Sequence, residues 1–141
     1  MSAELERFIS AHESAYPRAL QEIQSGHKRS HWMWYIFPQI HGLGHSDLAW
    51  YYAIQNRQEA EAFLKHPVLG RHLEEISYAL LLLDNRDPVD IFGYTDSLKL
   101  RSSMTLFYAV SNSFLYKKVL DKFYGGEPDT LTLQILQAED H

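Results

Sequence analysis

The sequence predicts an all-α fold, and three observations lead there. Apolar residues recur at steps of three and four along almost the whole chain, the spacing of one helix face. No run shows the strict alternation of a half-buried strand. Helix start and stop residues (Ser, Asp, Asn, Pro, Gly) are separated by only a few positions, the link lengths of a compact helical domain. The expectation is one domain over residues 1–141, built from roughly eight short helices.

Taken in order, Ser2 is placed to cap a first helix carrying Leu5, Phe8, Ile9 and His12. Pro17 suits the first turn of a second, with Leu20 and Ile23, that stops at Gly26; one kinked helix across both is the other reading. Ser30 can cap a helical His31 to Phe37 that ends before Pro38, with a buried strand as the competing assignment. Ser46 caps a helix over Trp50, Tyr51 and Ile54, and Asn56 with Glu59 three residues later forms a variant capping box opening a helix to Lys65. After His66 and Pro67, Leu69, Leu73, Ile76, Leu80 and Leu83 make one continuous stripe, the clearest core helix in the chain. Asp87 and Pro88 open a short turn of helix ending at Gly93, and Thr95 caps a longer one through Leu98, Met104, Phe107 and Val110. Ser111 or Ser113 starts the next, with Leu115, Val119 and Phe123 inward and a stop at Gly125-Gly126. Asp129 caps the last, which turns Leu131, Ile135 and Leu136 to the core.

Composition narrows the function. Of the 141 residues, 45% are hydrophobic and 22% charged, ordinary for a folded domain. A net charge of -5 and a pI near 5.9 argue against non-specific binding of nucleic acid through its phosphates. The absence of cysteine excludes disulfides, thiolate zinc sites and a cysteine nucleophile. The start MSAELERFIS is acidic where a secretion signal is basic, and no apolar run approaches the ~20 residues of a membrane helix, so the expectation is a cytoplasmic protein that does not engage a membrane.

Three groups of residues can carry chemistry. Trp32, Trp34 and Trp50 cluster with Tyr35, Phe37, Tyr51 and Tyr52. Helical spacing sets Trp32 with Tyr35 and Ile36 apart from Trp34 with Phe37, so one set packs inward while the other covers a neighbouring helix or a flat ligand. Taken alone, large aromatics favour the core. The loop His27-Lys28-Arg29-Ser30-His31 offers a lysine, an arginine, a hydroxyl and backbone amides to an anion; a solvated loop with a capping serine is the plainer account. On a later helix Lys99 shares a face with Ser102 and Ser103, either as a binding face or as an exposed one braced by Asp96. The pairs His27/His31 and His41/His45 lack the acid of an HExxH helix, and there is neither a nucleophile elbow nor a Walker loop, so no metal and no cofactor are assigned.

The stretches SHWMWYIFPQ, GLG, HPVLG and KLRSSMTLF resemble the bacterial family called domain of unknown function 1810, over nearly the whole chain. The resemblance implies an all-α single-domain fold; His12 and His27 stand where that family's pattern has Gln and Arg. A fainter likeness reaches the ADP-ribose-associated superfamily that includes N-glycosidases acting on ribosylated bases or amines. Ala49-Trp50-Tyr51-Tyr52 and Lys99 to Met104 follow the order of its motifs, but Ala49 replaces its acid and Lys99 is one residue farther from Met104. That likeness implies an ADP-ribose-like ligand more than glycosidase chemistry. The leading expectation is therefore a binding or hydrolytic protein for a small anionic, nucleotide-like ligand. Lys28 and Lys99 would meet phosphate, Ser30, Ser102 and Ser103 would donate hydrogen bonds, Trp32 or Trp34 would stack, and Gln39 would read a polar edge. His31 is the candidate proton shuttle, and Asp47 or Glu59 the carboxylate that a glycosidic bond, broken through a cationic transition state, requires. The alternative is a non-enzymatic structural or interaction domain with the aromatic segment as core.

Overall fold

The computed structural model describes residues 2–140, with side chains from Leu5 onward. Among these the fold is all-α, with nine helices: α1 (Ser2–Ser25), α2 (Met33–Ile36), α3 (Asp47–Tyr52), α4 (Arg57–Lys65), α5 (Leu69–Leu82), α6 (Pro88–Phe92), α7 (Tyr94–Ser111), α8 (Phe114–Tyr124) and α9 (Thr130–Glu139). The only extended pairing there is a single parallel bridge between Ile40 and Ile54, so the strand reading of the aromatic segment falls away. No helix among the described residues is long and apolar enough to cross a membrane.

Two expected helices at the N-terminus are one. Pro17 lies inside α1 rather than at a helix start, although it removes an amide from the helical ladder. The reason is tertiary: Leu5, Phe8, His12, Tyr16, Ala19 and Ile23 form an unbroken buried face across the proline, and α1 packs along α5. A capping bond from Ser2 lies outside the described side chains. The α5 stripe is as expected, with Leu69, Leu73, Ile76 and Leu80 buried and Leu83 partly so. Its C-terminal carbonyls are closed by a residue far along the chain, since Lys122 Nζ donates to the carbonyls of Leu80, Leu81 and Leu83.

Central to the bundle is α7, which meets α4, α6, α8 and α9. Its residues Ser102 to Phe107 are all buried, so the helix is enclosed rather than one-faced. It begins at Tyr94, one residue before the expected cap Thr95, because Gly93 takes φ 83° and ends α6 and opens α7 at a single position. Ser46, Asn56, Asp87 and Ser113 accept from helix amides as read from sequence. Asp129 does occupy its cap position, but its carboxylate instead accepts from Ser102 Oγ (2.8 Å) and Thr132 Oγ1, tying α9 to α7. The α4–α5 corner is closed by His66, whose Nδ1 accepts from the amides of Val68 and Leu69, and by Gly70. A Cβ at Gly70 would stand 2.0 Å from the Leu64 carbonyl oxygen, so only glycine lets the two helices meet.

Between α1 and α5 lies a buried polar contact. His12 Nδ1 and His72 Nδ1 are 2.9 Å apart, and His12 Nε2 is 2.8 Å from the Tyr35 carbonyl. A carbonyl only accepts, so His12 carries its proton on Nε2; its bare Nδ1 then accepts from His72 Nδ1–H. Tyr16 stacks on His72 at 3.6 Å and donates to Glu75. Burial, reinforced by the His72 and His66 charges and opposed by the Tyr35 bond, pushes the His12 pKa down to about 4.

Candidate functional site

The loop after α1 folds around an anion, and the anion belongs to the chain. Glu22 lies one turn beyond Ala19 at the edge of the buried face of α1, and its carboxylate accepts from the amides of Arg29 (2.7 Å) and Ser30 (3.0 Å), from Ser30 Oγ (2.6 Å) and from Trp32 Nε1 (2.9 Å). Burial raises its pKa, but these four donors outweigh burial and bring it down to about 2. Ser30 is thus a Glu22 donor and not a helix cap; α2 opens at Trp32 without a side-chain cap. Trp32 itself is buried in the core, with 1% of its surface exposed.

Four of the eight expected ligand residues do come together. Lys28 Nζ pairs with Asp96 Oδ2 (2.8 Å) and sits 5.1 Å from the Trp32 ring; Lys99 Nζ lies 3.5 Å from Asp96 Oδ1 and 4.9 Å from the Trp34 ring. One aspartate therefore bridges two lysines, each set over a tryptophan. Lys28 is largely enclosed, while Lys99 and Trp34 are half-buried and reach the surface. The two serines diverge from this group. Ser102 is held by Asp129, and Ser103 is wholly buried, its hydroxyl without a partner among the described residues.

Next to the Lys99–Trp34 pair is a notch lined by Trp34, Gln39, His41, Gly44, Trp50 and Tyr52, with room for about 10 Å³, enough for one water. Its wall of Trp50 and Tyr52 is shared with an open cleft of about 1340 Å³ between α1, α3 and α4. Trp50 and Tyr51 are 60% and 58% exposed, large rings that the core does not claim. Ser46 starts α3, and the Ile40–Ile54 bridge fixes the chain on both sides of it, so these rings stand on a braced segment. Tyr52 is anchored inward against Phe8 and Tyr35.

At the cleft floor Arg7 and Glu59 form a buried pair, Nη2 to Oε1 2.7 Å. Arg7 also donates to the carbonyls of Tyr51 and Ala53, both at 2.8 Å, and so clamps the C-terminal end of α3. The Glu59 amide donates to Asn56 Oδ1, as the capping box predicts, but the Glu59 carboxylate accepts from Gln55 N and Arg7 rather than from Asn56 N. Of the three candidates for chemistry Glu59 lines the cleft, whereas His31 and Asp47 are exposed and line neither the notch nor the cleft. Among the described residues no group of three or more His, Cys, Asp and Glu is placed to hold a metal.

Sequence reasoning passed over Arg7 and Glu22. The signal for Glu22 was present, an acid at a core step of α1 followed by a basic loop. Arg7 gave none, because its partners are 44 to 52 positions away.

Fold and site together define an all-α protein with an aromatic-walled cleft braced by a buried ion pair. The chain belongs to the family described as "Protein of unknown function (DUF1810)", whose model matches residues 2–136. It is similar to the conserved hypothetical protein Rv1873 from Mycobacterium tuberculosis, at 41% identity over 95% of this chain and 96% of that one, with a TM-score of 0.93 to its crystal structure. Comparison with curated proteins gives no match.

Proposed function

We propose that this chain is a cytoplasmic protein that binds a nucleotide-derived small molecule, an ADP-ribose derivative among the candidates, along the surface from Lys99 to the α1/α3/α4 cleft. The observation that carries the reading is the shared Trp50–Tyr52 wall. A half-buried lysine set over Trp34 lies on one side of it, and an open cleft of ligand size with exposed rings on the other. In this arrangement Trp50 stacks on the ligand ring, Gln39 meets a polar edge through the one water the notch has room for, and Lys99 faces phosphate. Lys28 acts through Asp96, Ser30 and Trp32 hold Glu22 and so order the loop that carries Lys28, and Ser102 and Ser103 lie apart from the ligand. Binding rather than hydrolysis is the better-supported half of the proposal. Both Glu59 carboxylate oxygens are already bonded within the chain, to Arg7 and to the Gln55 amide.

The test is a thermal-shift and tryptophan-fluorescence titration with NAD, ADP-ribose and mononucleotides. A response in the wild type that Trp50→Ala weakens by about tenfold or more, the scale of one ring stack, supports the proposal. Lys99→Ala weakens binding too and flattens its salt dependence. Silence across the whole panel sinks it. One feature favours the second reading, an interaction domain: the Ser30 hydroxyl and the amides of Arg29 and Ser30 are turned inward onto Glu22, where they fix structure.

A further inference from the structure

We infer that the ring taken by the α1/α3/α4 cleft carries a positive charge, so that the ligand is a nucleoside with a cationic ring, such as an N-ribosylated pyridinium or an N-methylated purine. This rests on the small-molecule reading above and narrows it. Among the described residues the charged ones lining the cleft are Glu6, Arg7 and Glu59, two acids and one base. The base is turned into the protein: its guanidinium is bonded to Glu59 and to the carbonyls of Tyr51 and Ala53, packs 4.3 Å from the Phe8 ring, and its side chain is only 12% exposed. No lysine among the described residues lines the cleft. Glu6 stands exposed on its rim.

The same cleft is lined by Trp50, Tyr51 and Tyr52, of which Trp50 and Tyr51 are largely exposed. An aromatic face is negative at its centre, so rings facing a carboxylate select a flat cation over its neutral isostere. A phosphate finds no such partner there, whereas Lys99 stands over Trp34, whose ring lines the notch that shares the Trp50–Tyr52 wall. The site is therefore two-ended, with the cationic ring in the acidic cleft and the anionic end toward Lys99. This ordering departs from a simply anionic pocket.

Isothermal titration of the full chain with matched pairs tests it: oxidised against reduced nicotinamide riboside, and 7-methylguanosine against guanosine. The members of each pair differ chiefly in ring charge. The expected result is that the charged member binds about tenfold tighter in at least one pair. Glu6→Gln, an exposed substitution that leaves the core untouched, should cut that preference to threefold or less. Equal or tighter binding of the neutral members, or a preference that Glu6→Gln leaves intact, overturns the inference. If NAD or ADP-ribose still binds through Trp50 in that case, the small-molecule reading stands without it. If no nucleoside, nucleotide or ADP-ribose binds, both fall together.

Discussion

Acid should unfold this protein through one histidine, and the size of the effect follows from where His12 sits. Its side chain is 2% exposed, donates from Nε2 to the Tyr35 carbonyl and accepts at Nδ1 from His72. An extra proton would have to enter at Nδ1, where it would face the His72 N–H. The folded pKa of about 4 lies below the ordinary 6.5, so the unfolded chain takes up the proton first as pH falls. Stability from this group is complete above pH 6.5, declines below it, and is fully lost once pH has fallen through 4. At 1.36 kcal/mol per pH unit the gap corresponds to about 3 kcal/mol in all, of which about 2 kcal/mol is gone by about pH 5. The groups facing it are Tyr16 on α1, His66 before α5 and His72 on α5, while Arg71 and Glu75 act on Tyr16 and His72 behind them. Burial lowers the His72 pKa as well, so it adds to the loss in the same direction.

His12→Gln isolates the contribution, because the amide can donate to Tyr35 and accept from His72 without titrating. Urea unfolding at pH 8 and pH 5 reads it out. The wild-type midpoint should fall by about 1 M more than that of the variant, since small-protein urea slopes are about 2 kcal/mol per molar. Equal losses in the two proteins would show that the imidazole pair does not govern acid stability.

Two further predictions concern positions that fix the walls of the site. Glu22→Gln places an amide against groups that all donate, and should destabilise the protein by about 2 kcal/mol at pH 7. Because the Glu22 pKa is lowered to about 2, its contribution is present above the ordinary 4.5 and is lost as pH falls toward 2, so the gap to wild type should narrow in that window; an unchanged urea midpoint at pH 7 would refute the four-bond account. Gly70→Ala drives a methyl into the Leu64 carbonyl and should lower the thermal midpoint by roughly 8 °C, for a cost of about 2 kcal/mol; a shift below 2 °C, that is ~0.5 kcal/mol, would mean that the corner relaxes freely.

Local chemistry in this chain was legible, and distant pairing was not. Asn56, Ser46 and Asp87 lie within three residues of the amides they cap, and the α5 stripe is written at helical spacing, so both could be read directly. Pro17 pointed to a helix start because that is where a proline costs least, and only the buried face running past it decides for one helix, the reading left open beside it. The anion loop was recognised by the right chemistry, donors gathered at 27–31. Its occupant is a carboxylate a few residues upstream, where a ligand was expected. Trp32 and Trp34 were divided between core and surface as read, but Phe37, set with Trp34 by helical spacing, is wholly buried beside Trp32 because α2 ends at Ile36; Ser103 was placed beside Lys99 by helical arithmetic that could not know α7 is enclosed. The cleft escaped notice because its floor is made by Arg7 reaching three partners in a different third of the chain.

The long first helix has a consequence of its own. Arg7 clamps α3, His12 meets α5 and Glu22 gathers the loop, so three unrelated parts of the molecule take their bearings from one rod. At 1.5 Å and 100° per residue, such a rod acts as a ruler: one residue inserted between Arg7 and Glu22 turns one anchor by about 100° against another. Substitutions along its outer face leave that alignment alone, but a change in its length does not. Its residue count, more than the identity of most of its side chains, is what the architecture holds fixed.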